Sequence, residues 1–183
     1  IGDVSLKEYK EDASQLLKGA KNTQVTIQYI RQGKQQNATI ILNEVEIKAV
    51  PYYALLKDKT GYIVLSKFNE KASAETKAAL LDLKQQGATK IILDLRGNPG
   101  GLLHEAVNIC NLFVAKNELI VTTKSKNTKY NLEYRTKNEP SDFEIPLAVI
   151  VDGKSASASE IVAGAIQDLD RGVVLGSRSF GKG

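Results

Sequence analysis

The order of strand-like and helical segments constrains the fold most strongly. Two apolar runs, residues 90–95 and 146–151, are each followed by a turn rich in glycine or small residues and then by a helical pattern. Residues 61–66 and 172–175 also have strand character, and residues 73–86 form an amphipathic helical pattern. Strands that alternate with helices favour an α/β core with parallel strands. Further helices are expected at 101–114 and up to Asp168, and further strands at 119–123 and 129–135.

The first part of the chain has a different pattern. Apolar residues recur there at the spacing of a helix, at Leu6, Tyr9, Ala13, Leu16 and Leu17. Residues 25–31 alternate as a strand, residues 38–42 predict its return, and Gln32-Gly33 predicts the turn between them. A block of this size is too small to hold a core by itself. A second, larger unit is expected to begin near Glu46.

Composition limits the classes of protein that need to be considered. The 183 residues carry a net charge of +4, and the lysines are mixed with acidic residues, which indicates solubility rather than nucleic-acid binding. The single cysteine, Cys110, excludes an intrachain disulfide and is expected to be buried filler. No apolar stretch has the length of a membrane span, and no signal peptide is seen. We expect the sequence to be an excerpt of a longer protein.

A serine-rich segment after the second apolar run is the first candidate for chemistry. It reads Asp152-Gly-Lys-Ser-Ala-Ser-Ala-Ser-Glu160. Ser157 and Glu160 match the capping box S-x-x-E, so Ser157 could simply cap the following helix. A serine at a helix N-terminus is also well placed as a nucleophile, because free N–H groups there can stabilise an oxyanion. Local pattern leaves both interpretations open, with Ser155 and Ser159 as competing nucleophiles.

Lys182 is the candidate general base. The only histidine, His104, lies with Glu105, Asn108 and Asn111 on the polar side of a predicted helix and is expected to be solvated. A lysine can replace histidine as base, because an amine in a water-poor site gives up its proton more easily. Residues 176–182 nearly match a phosphate-binding loop, but Gly183 stands where Ser or Thr is required. A solvated loop lysine is the other alternative.

The segment Arg96-Gly-Asn-Pro-Gly-Gly101 connects the first apolar run to its helix. Its N–H groups could form an anion-binding nest, or the glycines could serve only a tight turn. Asp94 and Arg96 flank Leu95 and are expected to be structural partners.

These segments together resemble the carboxy-terminal processing proteases, also called tail-specific proteases. Residues 92–102, 155–168 and 176–183 match that family's motifs in order and spacing, and residues 61–68 match its strand before the first helix. The resemblance implies a crotonase/ClpP-like α/β peptidase core over residues 46–183, truncated at its C-terminus. Residues 1–45 resemble the C-terminal half of a PDZ domain.

The resemblance also implies roles for individual residues. The family's nucleophile falls on Ser157 and its general base on Lys182. The oxyanion hole would be formed by the backbone N–H of Ala158 and of the turn at Gly100 and Gly101. The family's glutamine that orients the lysine lies beyond residue 183, so this excerpt is expected to be inactive or nearly so. No metal or cofactor is expected.

The function implied is a serine endopeptidase that cleaves proteins near their C-terminal tails. Its expected partners are protein or peptide substrates with apolar C-terminal ends, captured by the PDZ groove through strand addition. The expected location is the bacterial cell envelope or periplasm, or outside the cell. One alternative is a non-catalytic peptide- or ligand-binding module of the same fold, and another is a crotonase-like acyl-CoA enzyme. Acylation by a serine-reactive probe would discriminate among the three.

Overall fold

The protein forms two compact units, Ile1–Ile47 and Lys48–Gly183, in a computed structural model that describes residues 1–7 and 9–182. The first unit is a hairpin of two antiparallel strands, β1 (Gln24–Arg31) and β2 (Lys34–Ile41). The predicted turn between the strands is confirmed, with positive φ at Gln32 and Gly33.

The predicted N-terminal helix is wrong, because the described residues of that stretch form only a 3-10 helix, at Ala13–Leu17. The carboxylate of Asp12 accepts hydrogen bonds from the N–H and the hydroxyl of Ser14, and this local cap begins the short helix. None of the residues in the 3-10 helix is buried. Helices of this length are marginal without an apolar face packed against a core. Glu8, which falls within the predicted helix, lies outside the described residues.

The second unit is built on a mixed five-stranded sheet. In chain order its strands are β3 (Tyr52–Leu55), β4 (Thr60–Val64), β5 (Lys90–Asp94), β8 (Leu147–Val151) and β9 (Val173–Gly176). Their order across the sheet is β3-β4-β5-β8-β9, and only the β3–β4 pair is antiparallel. The predicted α/β class is therefore confirmed, with one antiparallel edge strand that was not predicted. A separate antiparallel ribbon consists of β6 (Leu119–Thr123) and β7 (Leu132–Arg135), with a 3-10 helix at Thr128–Tyr130 in the connection between them.

The described residues of the second unit form three α-helices: α1 (Ala72–Gln85), α2 (Leu103–Cys110) and α3 (Ala158–Asp168). Helix α2 is shorter than the predicted 101–114. After Cys110 the chain forms 3-10 turns, with hydrogen bonds between residues three apart, such as the one from the Phe113 N–H to the Cys110 carbonyl at 3.0 Å. No helix among the described residues is long and apolar enough to cross a membrane.

The hydrophobic core lies between the sheet and these helices. Its largest fully buried side chains are Phe68, Phe113, Ile63, Leu65, Leu80, Leu83, Ile91, Leu93, Leu95, Ile109, Ile166 and Val149. Cys110 is buried among them as predicted, and burial raises the pKa of its thiol to about 12.

Candidate active site

The candidate site lies where β5 and β8 end side by side. The two strands are parallel neighbours, with Asp94 paired to Ile150, so the loops that follow them emerge at the same edge of the sheet. Ligands and reactive groups of open α/β sheets collect at the carboxyl ends of parallel strands. This topology brings the loop at 96–102 next to the serine-rich segment at 152–157.

Hydrogen bonds at Asp152 and Asn98 hold these loops together. One oxygen of the Asp152 carboxylate accepts hydrogen bonds from the N–H of Gly97 and of Lys154, both at 2.9 Å. The fully buried Asn98 donates through its amide to the Leu65 carbonyl at 2.7 Å. The backbone carbonyl of Asn98 accepts a hydrogen bond from the N–H of Ala156 at 3.1 Å. The backbone of the serine segment is therefore fastened to the loop that follows β5.

The three serines of the segment have different surroundings. Ser155 and Ser159 are fully buried, and their hydroxyls donate to backbone carbonyls, of Leu95 at 2.8 Å and of Asn98 at 2.9 Å. Ser157 is half-buried, and its hydroxyl donates no hydrogen bond to any described residue. Of the three serine hydroxyls, only that of Ser157 donates no hydrogen bond to a described residue, which favours Ser157 over its two competitors as a nucleophile.

The backbone of Ser157 is strained. Its φ of 55° and ψ of −113° lie outside the regions that a non-glycine residue ordinarily occupies. Such conformations cost about 1–3 kcal/mol and persist only where the surrounding structure holds them. A serine on a sharp, strained turn between a strand and a helix is the arrangement of a nucleophile elbow, which exposes the hydroxyl.

Two backbone N–H groups of the candidate site make no hydrogen bond to a described residue. Ala158 is the first residue of α3, and its N–H has no hydrogen-bond partner among the described residues. The N–H of Gly101 likewise has no hydrogen-bond partner among the described residues. The backbone hydrogen bonds to Phe68 are made by its neighbours, Gly100 and Leu102. Gly100 differs, because its N–H donates to Asn98 Oδ1 at 2.9 Å. Of the turn glycines predicted for the oxyanion hole, Gly101 is the one with an uncommitted donor.

Gly100 makes close packing possible at this point. Its φ is +94°, and a Cβ placed there would lie 2.6 Å from the Ala156 carbonyl oxygen and 2.9 Å from the Ala158 nitrogen. Only glycine fits this position without displacing the Ser157 turn.

Lys182 approaches the same turn through its backbone. Its N–H donates to Glu160 Oε2 at 2.9 Å, and the N–H of Ser157 donates to the same oxygen at 2.8 Å. The Lys182 side chain is exposed and makes neither a hydrogen bond to Ser157 nor an ion pair with any described carboxylate. The water-poor environment expected for this amine is therefore not formed by the described residues themselves.

Glu160 is the site residue whose role the sequence did not reveal. The capping-box pattern predicted its contact with Ser157, and the structure bears this out. Burial raises the pKa of the Glu160 carboxyl, but hydrogen bonds from Ser179, Gly181, Lys182 and Ser157 outweigh burial and lower it below its usual value. No sequence signal links residue 160 to the segment around residue 180.

The remaining candidates lie apart from this chemistry. His104 is exposed, as expected, but Glu105 of the same helix and Asn111, the residue that follows the helix, are buried. They are buried because they bond backbone groups: Glu105 accepts from the Ser73 N–H at 2.6 Å, and Asn111 donates to the Asn138 carbonyl at 2.6 Å. Within residues 1–7 and 9–182, no group of three or more His, Cys, Asp or Glu side chains could hold a metal ion.

Asp94 and Arg96 are structural partners, as expected from the sequence. The Arg96 guanidinium donates to both oxygens of the buried Asp94 carboxylate, with the closest contact at 2.6 Å, and the Tyr62 hydroxyl donates to it as well. This cluster joins the end of β5 to the neighbouring strand β4.

Sequence comparison finds close bacterial relatives. The chain is 35% identical over 167 residues to a probable CtpA-like serine protease of Staphylococcus saprophyticus, a match covering 91% of this chain and 34% of the relative. It is 38% identical over 172 residues to a probable CtpA-like serine protease of Staphylococcus aureus, covering 91% of this chain and 33% of the relative. The chain thus spans about a third of the length of the curated relatives it matches.

Comparison with solved structures points to the same group. The photosystem II D1 C-terminal processing protease superposes with a TM-score of 0.65 at 29% identity, over 90% of this chain and 46% of that one. A putative S41 protease from Bacteroides fragilis superposes with a TM-score of 0.65 at 18% identity, over 87% of this chain and 48% of that one, and shares the fold. The family model for peptidase family S41 matches residues 59–183, which include the whole candidate site. The chain belongs to peptidase family S41.

Proposed function

We propose that the protein is a serine endopeptidase that cleaves proteins near their C-terminal tails, with Ser157 as nucleophile and Lys182 as general base. The observation that carries the proposal is the strained turn at Ser157, where an uncommitted hydroxyl lies beside the unpaired N–H of Ala158. Membership of peptidase family S41 and likeness to a C-terminal processing protease support the choice of substrate.

The reaction follows from these groups. Ser157 Oγ attacks the carbonyl carbon of the scissile peptide while its proton passes to neutral Lys182 Nζ. The N–H groups of Ala158 and Gly101 stabilise the oxyanion of the tetrahedral intermediate. The C–N bond then breaks, the leaving amine takes the proton from Lys182, and water hydrolyses the acyl-enzyme by the same route in reverse.

Substrate binding is part of the proposal. Because Lys182 is exposed, we propose that the bound substrate covers the amine and excludes water from it. Residues 1–45, which contain the hairpin β1–β2, would be the C-terminal half of a PDZ domain that captures an apolar C-terminal tail by strand addition. Residues 46–183 would be the peptidase core. An exported or cell-envelope location is proposed from the family resemblance, and the Staphylococcus relatives are bacterial.

The nucleophile is tested by replacing Ser157 in the full-length protein. Ser157→Ala should abolish labelling by a fluorophosphonate probe and cleavage of a peptide with an apolar C-terminus, while the fold persists. Loss of a cap costs only about 0.5–2 kcal/mol, which is too little to unfold most domains. Ser177→Ala, at an exposed serine of the loop after β9, is the matched control and should behave as wild type. Labelling at Ser155 or Ser159 would contradict the assignment, and absence of labelling in wild type would favour a non-catalytic binding module.

The base is tested by Lys182→Arg. This variant should lose cleavage by orders of magnitude, because a guanidinium does not give up its proton at usable pH. Lys154→Arg, at an exposed lysine two residues after Asp152, is the control and should keep its activity. Peptide cleavage by Lys182→Arg at the wild-type rate would remove Lys182 from the mechanism.

A further inference from the structure

Among the described residues, the Glu160 carboxylate is the one side-chain group that accepts hydrogen bonds from both proposed catalytic residues. Its Oε2 accepts from the N–H of Ser157 at 2.8 Å and of Lys182 at 2.9 Å. Its Oε1 accepts from the Ser179 hydroxyl at 2.8 Å and from the Gly181 N–H at 2.6 Å. Each oxygen thus accepts two hydrogen bonds, and a carboxylate provides about four lone-pair positions, so the acceptor capacity is filled.

Helix capping explains only one of these four bonds. Glu160 is the third residue of α3. The hydrogen bond that its side chain accepts from the Ser157 N–H is one of the two bonds of the capping box. The other three bonds reach residues 19, 21 and 22 positions later, beyond the end of the helix. These three bonds contribute nothing to the cap, and their effect is to fasten residues 179–182 to the turn that carries Ser157.

No other described group fastens the last part of this segment. The Phe180 N–H donates to the Ser155 carbonyl at 3.0 Å. This bond fixes the backbone at Phe180 but not at Gly181 or Lys182. Within the part of the chain that the structure describes, the hydrogen bonds of Gly181 and Lys182 go to Glu160 alone. The position of the Lys182 backbone relative to Ser157 is therefore set through a single side chain.

We propose that Glu160 is a positioning residue that holds the Lys182 segment in register with the Ser157 turn through its carboxylate. Both backbone N–H groups bind the same oxygen, so a shift of one residue is transmitted to the other. Reacting groups must lie within about 3–3.5 Å of each other, and a misplacement of 1 Å can lower a rate about 100-fold. This inference rests on the proposed roles of Ser157 and Lys182.

Glu160→Gln in the full-length protein tests the proposal. The amide nitrogen cannot accept a hydrogen bond, so in either orientation of the glutamine two of the four donors lose their acceptor. We expect kcat for peptide cleavage to fall about 100-fold with little change in KM. Hydrogen exchange measured by NMR should lose protection at Gly181 or at Lys182, whichever N–H faces the amide nitrogen, while the strands of the core stay protected. Asp168→Asn, at an exposed aspartate at the other end of α3, is the matched control and should change neither readout.

A second variant keeps the test decisive if Glu160→Gln does not fold. Ser179→Ala removes one donor and leaves the carboxylate in place, so it should lower kcat severalfold and raise exchange at Gly181. In a folded Glu160→Gln background, Ser179→Ala should lower kcat by a smaller factor than it does in the wild-type protein, since the two groups act through one contact. Wild-type kcat and exchange in Glu160→Gln, or in Ser179→Ala where Glu160→Gln is unfolded, would overturn the proposal.

The exchange readout also separates this inference from the proposed function. It needs no catalysis and can be repeated in a Ser157→Ala background, where protection at Gly181 and Lys182 should still depend on Glu160. Cleavage retained by Ser157→Ala would refute the proposed function but not the Glu160 contact. Loss of cleavage in Glu160→Gln with unchanged exchange would refute the positioning role alone.

Discussion

At the scale of single residues, three serines within five positions take two different structural roles. Ser155 and Ser159 bury their hydroxyls and satisfy carbonyls of the neighbouring loop. Ser157 lies between them on a strained backbone with an uncommitted proton. The three hydroxyls point in different directions, and these directions are set by the backbone conformation of the turn.

Gly100→Ala should reveal how closely the turn is packed. A methyl group there would collide with the backbone of Ala156 and Ala158, so the Ser157 turn must move. We expect peptide cleavage to fall about 100-fold, the cost of misplacing a reacting group by about 1 Å. Gly97→Ala is the matched control, because Gly97 also has positive φ, at +70°, but has no neighbour within 4 Å of the added methyl.

Gly97→Ala should lose only about 1–2 kcal/mol of unfolding free energy, the usual cost of a left-handed conformation, and keep its activity. Denaturant unfolding and cleavage assays on both variants would check this pair. Equal activity in the two variants would show that the close contact at Gly100 does not matter for the site.

At the scale of elements, the site depends on what joins neighbouring strands at their carboxyl ends. The cluster of Tyr62, Asp94 and Arg96 ties β4 to the loop that follows β5. Burial raises the pKa of the Asp94 carboxyl, but hydrogen bonds from Arg96 and Tyr62 outweigh burial and lower it. The folded state therefore favours the ionised carboxylate.

This cluster predicts a contribution to stability that depends on pH. Because the pKa of Asp94 is lower in the folded than in the unfolded state, its contribution is fully present above the ordinary value of 3.8 and is lost as pH falls below it. Asp94→Asn should therefore be less stable than wild type at pH 7, and the difference should shrink at about pH 3. Denaturant unfolding at both pH values measures this.

Asp168→Asn, which removes an exposed carboxylate with no hydrogen bond among the described residues, is the control for that series. Its difference from wild type should be small at both pH values. A difference for Asp94→Asn that stays constant or grows on acidification would contradict the assignment of the ionised state.

At the scale of the whole molecule, the two units differ in how they are stabilised. The residues that form the hydrophobic core all belong to the unit Lys48–Gly183. In the described residues 1–7 and 9–47, no side chain is buried. A two-stranded hairpin without a buried face is at best marginally stable in water.

We predict that residues 48–183 unfold cooperatively when produced without residues 1–47. Far-UV circular dichroism during thermal denaturation of this fragment should show a single transition. The reciprocal fragment, residues 1–47, should lack a cooperative transition, because it has no core to lose. A fragment 48–183 without any transition would show that the first unit is required for folding.

The sequence by itself determined the class of fold and most of its elements. Periodicity and glycine placement depend only on local physics, so the hairpin turn at Gln32-Gly33, the strand at Leu119–Thr123 and helix α3 were predictable. The predicted helix near residue 13 and the unpredicted strand β3 fall where local pattern is weak and burial is absent or partial. At such positions tertiary context decides between conformations of similar free energy.

Only the tertiary structure decided what the candidate site residues contact. Ser157 and Glu160 could be paired from their spacing, because a capping box is local. The bonds that Glu160 accepts from Ser179, Gly181 and Lys182, and those that the buried hydroxyls of Ser155 and Ser159 donate, all join segments that are distant in the sequence. Contacts of this kind leave no periodic signal in a single sequence, because they depend on which strand ends the parallel sheet places side by side.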